Sequence, residues 1–200
     1  MPECGALPVV GAELLSAYGA PRKGRAPHYG LDLRAPEGAR VQAVREGHVV
    51  AVAENGRIDR YGVTVVIDHG PWYSLSSHLL EASVRPGARV HWGQQIGRVG
   101  RTAGTAAQPD AVFDSAPPHL HLEFLDRWPV VGGGAGRLDA SAMCAELGVI
   151  VPAKGPIVSA CADLSRSYEL EMSAAAVPRA RTAGSALAIA LLLYAVSRAA

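Results

Sequence analysis

The feature that most constrains the fold is a series of short β-prone runs separated by turn residues. Between Arg40 and Val99 the chain contains Val/Ile-rich runs bounded by glycine or proline, among them VQAVREGHVVAVAE, GVTVVIDHG and RVHWGQQIGRVG. Their spacing, about 8–12 residues per strand and turn, is typical of antiparallel sandwiches and barrels rather than of alternating βα units. The sequence therefore predicts a mostly β domain, an antiparallel β-sandwich or barrel.

The chain after Trp128 has a different composition, with a Gly-rich run followed by Ala-rich and apolar segments. Three consecutive glycines mark a flexible boundary, and a short helix is predicted over Leu138–Leu147. The predicted organisation is a lead-in over residues 1–18, a main domain over 19–130, a Gly/Ala-rich extension and linker over 131–181, and an apolar C-terminal helix over 182–200.

The apolar C-terminal segment has two interpretations. Thr182–Ser197 contains sixteen residues without a charge, between Arg181 and Arg198. As a helix it would extend about 24 Å, short of the ~30 Å hydrocarbon core of a bilayer. It is therefore either a membrane anchor or a terminal helix packed on the domain or on a partner. The first twenty residues show no clear signal peptide.

Charge and cysteine content exclude some classes of protein. The 200 residues carry 19 basic and 18 acidic side chains, a formal net charge of +1, without a polybasic block. No nucleic-acid partner is expected, because such proteins normally present a concentrated positive surface. The three cysteines form no Cys-x-x-Cys metal pair. Either Cys144 and Cys161 close a small loop and leave Cys4 unpaired, or all three are reduced thiols.

The residues that carry chemistry are histidines and a carboxylate in three short segments. The first is His28-Tyr29-Gly30-Leu31-Asp32, and the second contains His78 after two serines. The third, HLHLEF, alternates polar and apolar residues, which places His119, His121 and Glu123 on one side of a strand. Since alternate residues of an extended chain share a face, His28 and Asp32 are expected to converge from one strand.

Imidazoles and a carboxylate are the ligands of a catalytic zinc, which takes three from the protein and leaves the fourth position open to water. A His-x-His pair and a distant His-x-x-x-Asp supply that number with one to spare. Each element alone is common by chance. Together, on strands joined by glycine-rich turns, they indicate a metal site.

These segments resemble those of the lysostaphin/LytM-type zinc endopeptidases, which cut peptides of bacterial peptidoglycan and have a duplicated-hybrid-motif β fold. The resemblance covers roughly residues 19–124. It is carried by the His-x-Gly-x-Asp segment at His28–Asp32, the hairpin at Ala35–Val52, VIDHG at Val66–Gly70, the run Val84–Gly104 and HLHLEF at His119–Phe124.

The resemblance implies one Zn²⁺ ion bound by His28, Asp32 and His121. It implies that His78 and His119 flank the metal-bound water, one as general base and one as stabiliser of the oxyanion. We favour His119 as the base. The expected activity is hydrolysis of peptidoglycan peptides in the cell envelope or outside the cell. His48, His69 and His91 match no functional position of the family.

Three departures and two alternatives accompany this interpretation. Ser76 and Ser77 stand where the family has an aromatic residue, the loop over 105–118 is long, and the segment after Gly134 has no counterpart in the family. Related modules without metal ligands activate cell-wall amidases instead of cutting peptides. The hairpin around Gly47 is also similar to carrier domains, but no lysine stands at a hairpin tip. The bond that is cut and the oligomeric state are left open.

Overall fold

The structure, a computed structural model, describes residues 5–54, 60–105, 107–114, 116–129 and 135–161. Within them the chain forms twelve strands and one helix. The elements are β1 (Glu13–Ser16), β2 (Leu31–Arg34), β3 (Arg40–Gln42), β4 (Gly47–Ala53), β5 (Val63–Asp68), β6 (Tyr73–Ala82), β7 (Arg89–Val90), β8 (Gln95–Val99), β9 (His119–Leu125), β10 (Arg137–Leu138), α1 (Ala140–Glu146), β11 (Val149–Ile150) and β12 (Val158–Ser159).

Ten of the strands form one antiparallel sheet, which confirms the mostly β class. The main path runs β1-β2-β9-β6-β5-β4-β7, with β10 paired to β9 and β3 joined through β8 to β6. The path of described strands does not close on itself, so the barrel alternative is wrong. Strands β11 and β12 form a separate pair.

The alternation in β9 separates a hydrophobic core from a polar face. Leu120, Leu122 and Phe124 are fully buried in the main core with side chains from the other strands. On the opposite face, Leu125 packs with residues of β5 and β6 in a smaller apolar cluster. His119, His121 and Glu123 lie on the same face of β9 as Leu125, and all three are buried polar groups. Burial of polar groups is costly unless they bind one another or a ligand.

Strand β6 changes its partner at the position of His78. Residues up to Ser77 pair with β9, and residues from Leu79 pair with β8. At the junction His78 has a φ of 60°, which is uncommon for a residue with a side chain. Such a conformation persists where surrounding structure enforces it, and it is frequent at functional sites.

The short helix confirms the prediction for residues 138–147. Asp139 caps its N-terminus, where its carboxylate accepts hydrogen bonds from the backbone N–H groups of Ser141 and Ala142 at 2.8 and 3.1 Å. Its buried face, with Met143 and Cys144, packs into the main core.

Both alternatives for the cysteines, a Cys144–Cys161 pair and three reduced thiols, are wrong. Cys144 is a free, buried thiol, whose pKa burial raises to about 12. Cys161 belongs to a disulfide. The apolar segment Thr182–Ser197 lies outside the described residues. Among the residues that are described, no helix has the length and apolar character needed to span a bilayer.

Candidate metal centre and active site

Three ligand-type side chains converge at the polar face of β2 and β9. In the antiparallel register Asp32 lies opposite His121, so that their side chains emerge on the same face. Asp32 Oδ1 is 2.7 Å from His121 Nδ1 and 3.1 Å from His28 Nε2, and the two nitrogens are 3.0 Å apart. Ligands about 2.0–2.1 Å from a tetrahedral zinc are about 3.3 Å from one another. The cluster therefore has nearly the spacing of a zinc site.

His28 reaches this cluster from a loop and not from the strand that carries Asp32, so the expectation of one shared strand is wrong. Strand β2 begins only at Leu31. A Cβ atom at Gly30 would lie 2.5 Å from the carbonyl oxygen of Leu122 and 2.9 Å from the ring of His121. Only glycine permits this close approach to β9, and the approach brings His28 over the ligand face.

The outer nitrogens of both histidine ligands have fixed acceptors. His28 Nδ1 lies 2.9 Å from the carbonyl oxygen of Ala17 and 3.0 Å from Ser16 Oγ. His121 Nε2 lies 2.9 Å from Glu123 Oε1. Because a carbonyl oxygen only accepts, His28 carries a proton on Nδ1 when it is neutral. The inner nitrogens, His28 Nε2 and His121 Nδ1, are those available to a metal, an arrangement typical of histidine ligands.

The charges around the cluster favour a cation. Burial would raise the pKa of Asp32, but hydrogen bonds with His121 and His28 hold it well below its usual value, so Asp32 is ionised. Burial would lower the pKa of His121, whereas its hydrogen bonds with Asp32 and Glu123 raise it to about 9. The two carboxylates therefore stabilise positive charge here, whether on the ring or on a bound ion.

Glu123 is held by three groups. It accepts hydrogen bonds from Tyr61 Oη at 2.6 Å and from Arg137 Nε at 3.0 Å, in addition to His121. It is completely buried, and these bonds lower its pKa although burial alone would raise it. Arg137 comes from β10, in the segment without a family counterpart, and its guanidinium stacks 4.5 Å from the ring centre of Tyr29.

Two further histidines stand beside the metal-ligand cluster. His119 Nε2 is 4.0 Å from Asp32 Oδ1, and the ring centres of His78 and His119 are 4.9 Å apart. His78 Nδ1 donates to the carbonyl oxygen of Thr102 at 2.9 Å, and His119 Nδ1 donates to that of Pro117 at 2.8 Å. In the neutral form both rings therefore keep Nε2 unprotonated, as an acceptor. Burial and the neighbouring histidines lower the pKa of His78 to about 3.

Four of the five residues, Asp32, His78, His119 and His121, help to line a cavity of about 650 Å³, and the fifth, His28, is completely buried. The aromatic wall comes from Tyr29, Tyr61 and Phe113. Phe113 belongs to the long loop over 105–118, whose second half folds back against residues 101–103. Its ring packs edge-on against His78 at 4.7 Å. This loop therefore contributes an aromatic side chain to the cavity next to His78.

Trp72 and Tyr73, two aromatic residues that precede His78 in the sequence, do not line the cavity. Trp72 is buried in the core against Phe124 and His69, and Tyr73 packs beside Leu75. His69 bonds with the carbonyl of Glu46 and with Ser74, away from the metal-ligand cluster.

The fold and the buried His/Asp/His cluster are those of an antiparallel β metallopeptidase. The family model described as "Peptidase family M23" matches residues 26–131, more than half of the chain. The chain belongs to this family, which confirms the resemblance to the lysostaphin/LytM-type enzymes.

Relatives and solved structures agree with this assignment. The chain is 32% identical over 112 residues to the cell division protein DipM of Caulobacter vibrioides, covering 56% of this chain and 16% of DipM. It is 32% identical over 101 residues to the murein hydrolase activator EnvC of Escherichia coli, covering 50% and 23%. The matched part is thus under a quarter of either relative. Lysostaphin from Staphylococcus simulans shares the fold, with a TM-score of 0.56 and 20% identity over 72% of this chain and 56% of lysostaphin.

One prediction concerns Glu123. Glu123→Gln is expected to weaken zinc binding about tenfold, because a neutral amide is a weaker hydrogen-bond acceptor for His121. The amide also no longer balances the positive charge of Arg137. The dissociation constant is measured by competition with a chromophoric chelator. Glu146→Gln, at an exposed position of α1, is the matched control. Equal affinities for the two variants would show that Glu123 does not support the metal.

Proposed function

We propose that this protein is a zinc-dependent endopeptidase that hydrolyses peptide bonds of bacterial peptidoglycan. The observation that carries the proposal is the convergence of His28, Asp32 and His121, with His78 and His119 beside them at one cavity. Two nitrogen donors and one carboxylate are a donor set that suits zinc. Zinc bound there would act as a Lewis acid and lower the pKa of a water in its open position.

The residues of this chain then have distinct roles. His28, Asp32 and His121 hold the ion, and Glu123 fixes the ring of His121. His119, whose unprotonated Nε2 is the nearer of the two to the ligand oxygen of Asp32, accepts the proton of the attacking water. His78 stands beside it and assists, either in proton transfer or at the developing oxyanion. The ring of Tyr61 packs edge-on against His121, and that of Phe113 packs edge-on against His78.

The proposed place of action is the cell envelope or the exterior of the cell. The substrate lies there, and the disulfide at Cys161 is consistent with an oxidising compartment.

The test is digestion of purified sacculi by the zinc-loaded full chain. We expect soluble fragments whose masses show new amino and carboxyl ends within the peptides. EDTA should stop their release, and added zinc should restore it. Fragments without a cut peptide bond, or release that EDTA does not affect, would contradict the proposal.

A second candidate is a non-catalytic activator of cell-wall amidases, which the similarity to EnvC favours. The complete His/Asp/His cluster favours the peptidase, because an activator requires neither a metal nor a base. The two candidates differ in one measurement. An activator would release no fragments by itself, and its His121→Ala variant would accelerate an added amidase as much as the wild-type chain does.

A further inference from the structure

A loop at the mouth of the cavity carries three cationic side chains. Arg22, Lys23 and Arg25 are exposed, and all three line the cavity that also contains His119 and His121. The sequence APRKGRAPH places them just before the first metal-ligand segment. We call residues 20–28 the basic loop.

The basic loop is a folded turn fixed at its base. The N–H of Arg25 donates to the carbonyl of Arg22 at 3.2 Å, with Gly24 at a φ of 69° between them. This is a turn that glycine favours. At the base, His28 exchanges backbone hydrogen bonds with Gly19 at 2.8 Å and with Ala20 at 3.0 Å. The three cations are therefore tied to the residue proposed as the first metal ligand.

The carboxylates of the cavity do not neutralise this loop. Among the described lining residues, the acidic groups are Asp32 and Glu123, both buried. Glu123 is paired with Arg137, and Asp32 is in contact with His28 and His121. Arg22 is 3.6 Å from Asp32 Oδ2, which is longer than a hydrogen bond, and 42% of the Arg22 side chain remains exposed. The mouth of the cavity thus keeps an excess of positive charge.

We propose that the basic loop binds a free carboxylate of the substrate, so that the enzyme selects anionic stem peptides over uncharged bridges. The inference rests on the proposed peptidase function. Guanidinium and ammonium groups form charge-assisted hydrogen bonds with carboxylates. Arg22 lies 3.6 Å from Asp32 Oδ2, the outer oxygen of the carboxylate that is proposed as a metal ligand, and this distance is about the length of one extended residue. A carboxylate bound by the loop therefore belongs to a residue at or near the cleaved bond. A polyglycine bridge carries no such group.

The test uses three peptides with the full, zinc-loaded chain. They are a cross-linked stem peptide with free carboxylates, the same peptide with these groups converted to carboxamides, and pentaglycine with an acetylated amino end and an amidated carboxyl end. We expect kcat/KM to be about tenfold higher for the free acid than for the amide, and lower still for pentaglycine. The preference for the free acid should decrease with added salt.

The variant K23Q/R25Q removes two cations and leaves Arg22 beside Asp32. It should bring the ratio of free acid to amide close to one. R85Q/R89Q removes two exposed charges outside the cavity lining and should keep the wild-type ratio. Equal cleavage of acid and amide by the wild-type protein, or an unchanged ratio in K23Q/R25Q, would overturn the inference and leave the proposed function intact.

A binding measurement separates this inference from catalysis. Calorimetry with zinc-loaded His119→Ala should show tighter binding of the free acid than of the amide, again by about tenfold. Failure of every peptide to be cut would refute the peptidase function, but the binding preference would still test the loop. Equal affinity for acid and amide would overturn the inference in that case as well.

Discussion

Replacing His121 with alanine is expected to abolish stoichiometric zinc binding and to lower the digestion of sacculi about a thousandfold or more. In the proposed zinc site His121 provides one of three ligand atoms, and its ring also joins Asp32 to Glu123. The metal contributes several kcal/mol of transition-state stabilisation, so its loss affects the rate directly. Zinc is measured by mass spectrometry of the dialysed protein, and activity by release of soluble fragments.

The control for this variant is His48→Ala, at an exposed position of β4. It should keep both zinc and activity. His121→Ala removes the imidazole that the buried carboxylates of Asp32 and Glu123 share. Circular dichroism must therefore show that the variant is folded. If His121→Ala is not folded, Asp32→Asn replaces it, because this substitution removes the charge and keeps the size of the side chain. Full activity in a folded, zinc-free variant would refute the metallopeptidase proposal.

The sequence was most informative where local pattern decides structure. The alternation in HLHLEF predicts which face of β9 is polar, and the structure has Leu120, Leu122 and Phe124 in the core as expected. The capped helix α1 follows from Asp139 and the Ala-rich run after it. In both cases the period of a single element is sufficient, and no knowledge of its neighbours is needed.

The sequence was least informative where distant segments meet. The loop position of His28 depends on the close approach of Gly30 to β9, which no local period reveals. Arg137 reaches Glu123 only because β10 pairs with β9, and the Gly-rich boundary before it suggested a flexible extension. Closure of a sheet into a barrel likewise depends on the partners of the edge strands β1 and β7, which strand patterns do not specify.

The sequence nevertheless contained a signal for two contributions to the site that were not predicted, the basic loop and Phe113. The basic cluster APRKGRAPH is adjacent to His28 in the sequence, although the near-zero net charge of the whole chain hides it. Phe113 is the one aromatic residue in the loop over 105–118, and there are only two phenylalanines in the chain. Because Ser76 and Ser77 stand where the family has an aromatic residue, the presence of Phe113 in this polar loop was a reason to expect it at the site.

Replacing His119 with alanine is expected to separate metal binding from catalysis. In the proposed site His119 is not a ligand, because its Nε2 lies 4.0 Å from Asp32 Oδ1, farther than the about 3.3 Å between two ligands of a tetrahedral zinc. The variant is therefore expected to bind one zinc ion, as is the wild-type protein. Loss of a general base lowers the rate about 10²–10⁴-fold, and kcat should decrease while KM for a defined peptide stays nearly constant. His78→Ala is the comparison: with His119 as the base, it should retain more activity than His119→Ala. The reverse order would assign the base to His78, and zinc loss in His119→Ala would make His119 a ligand.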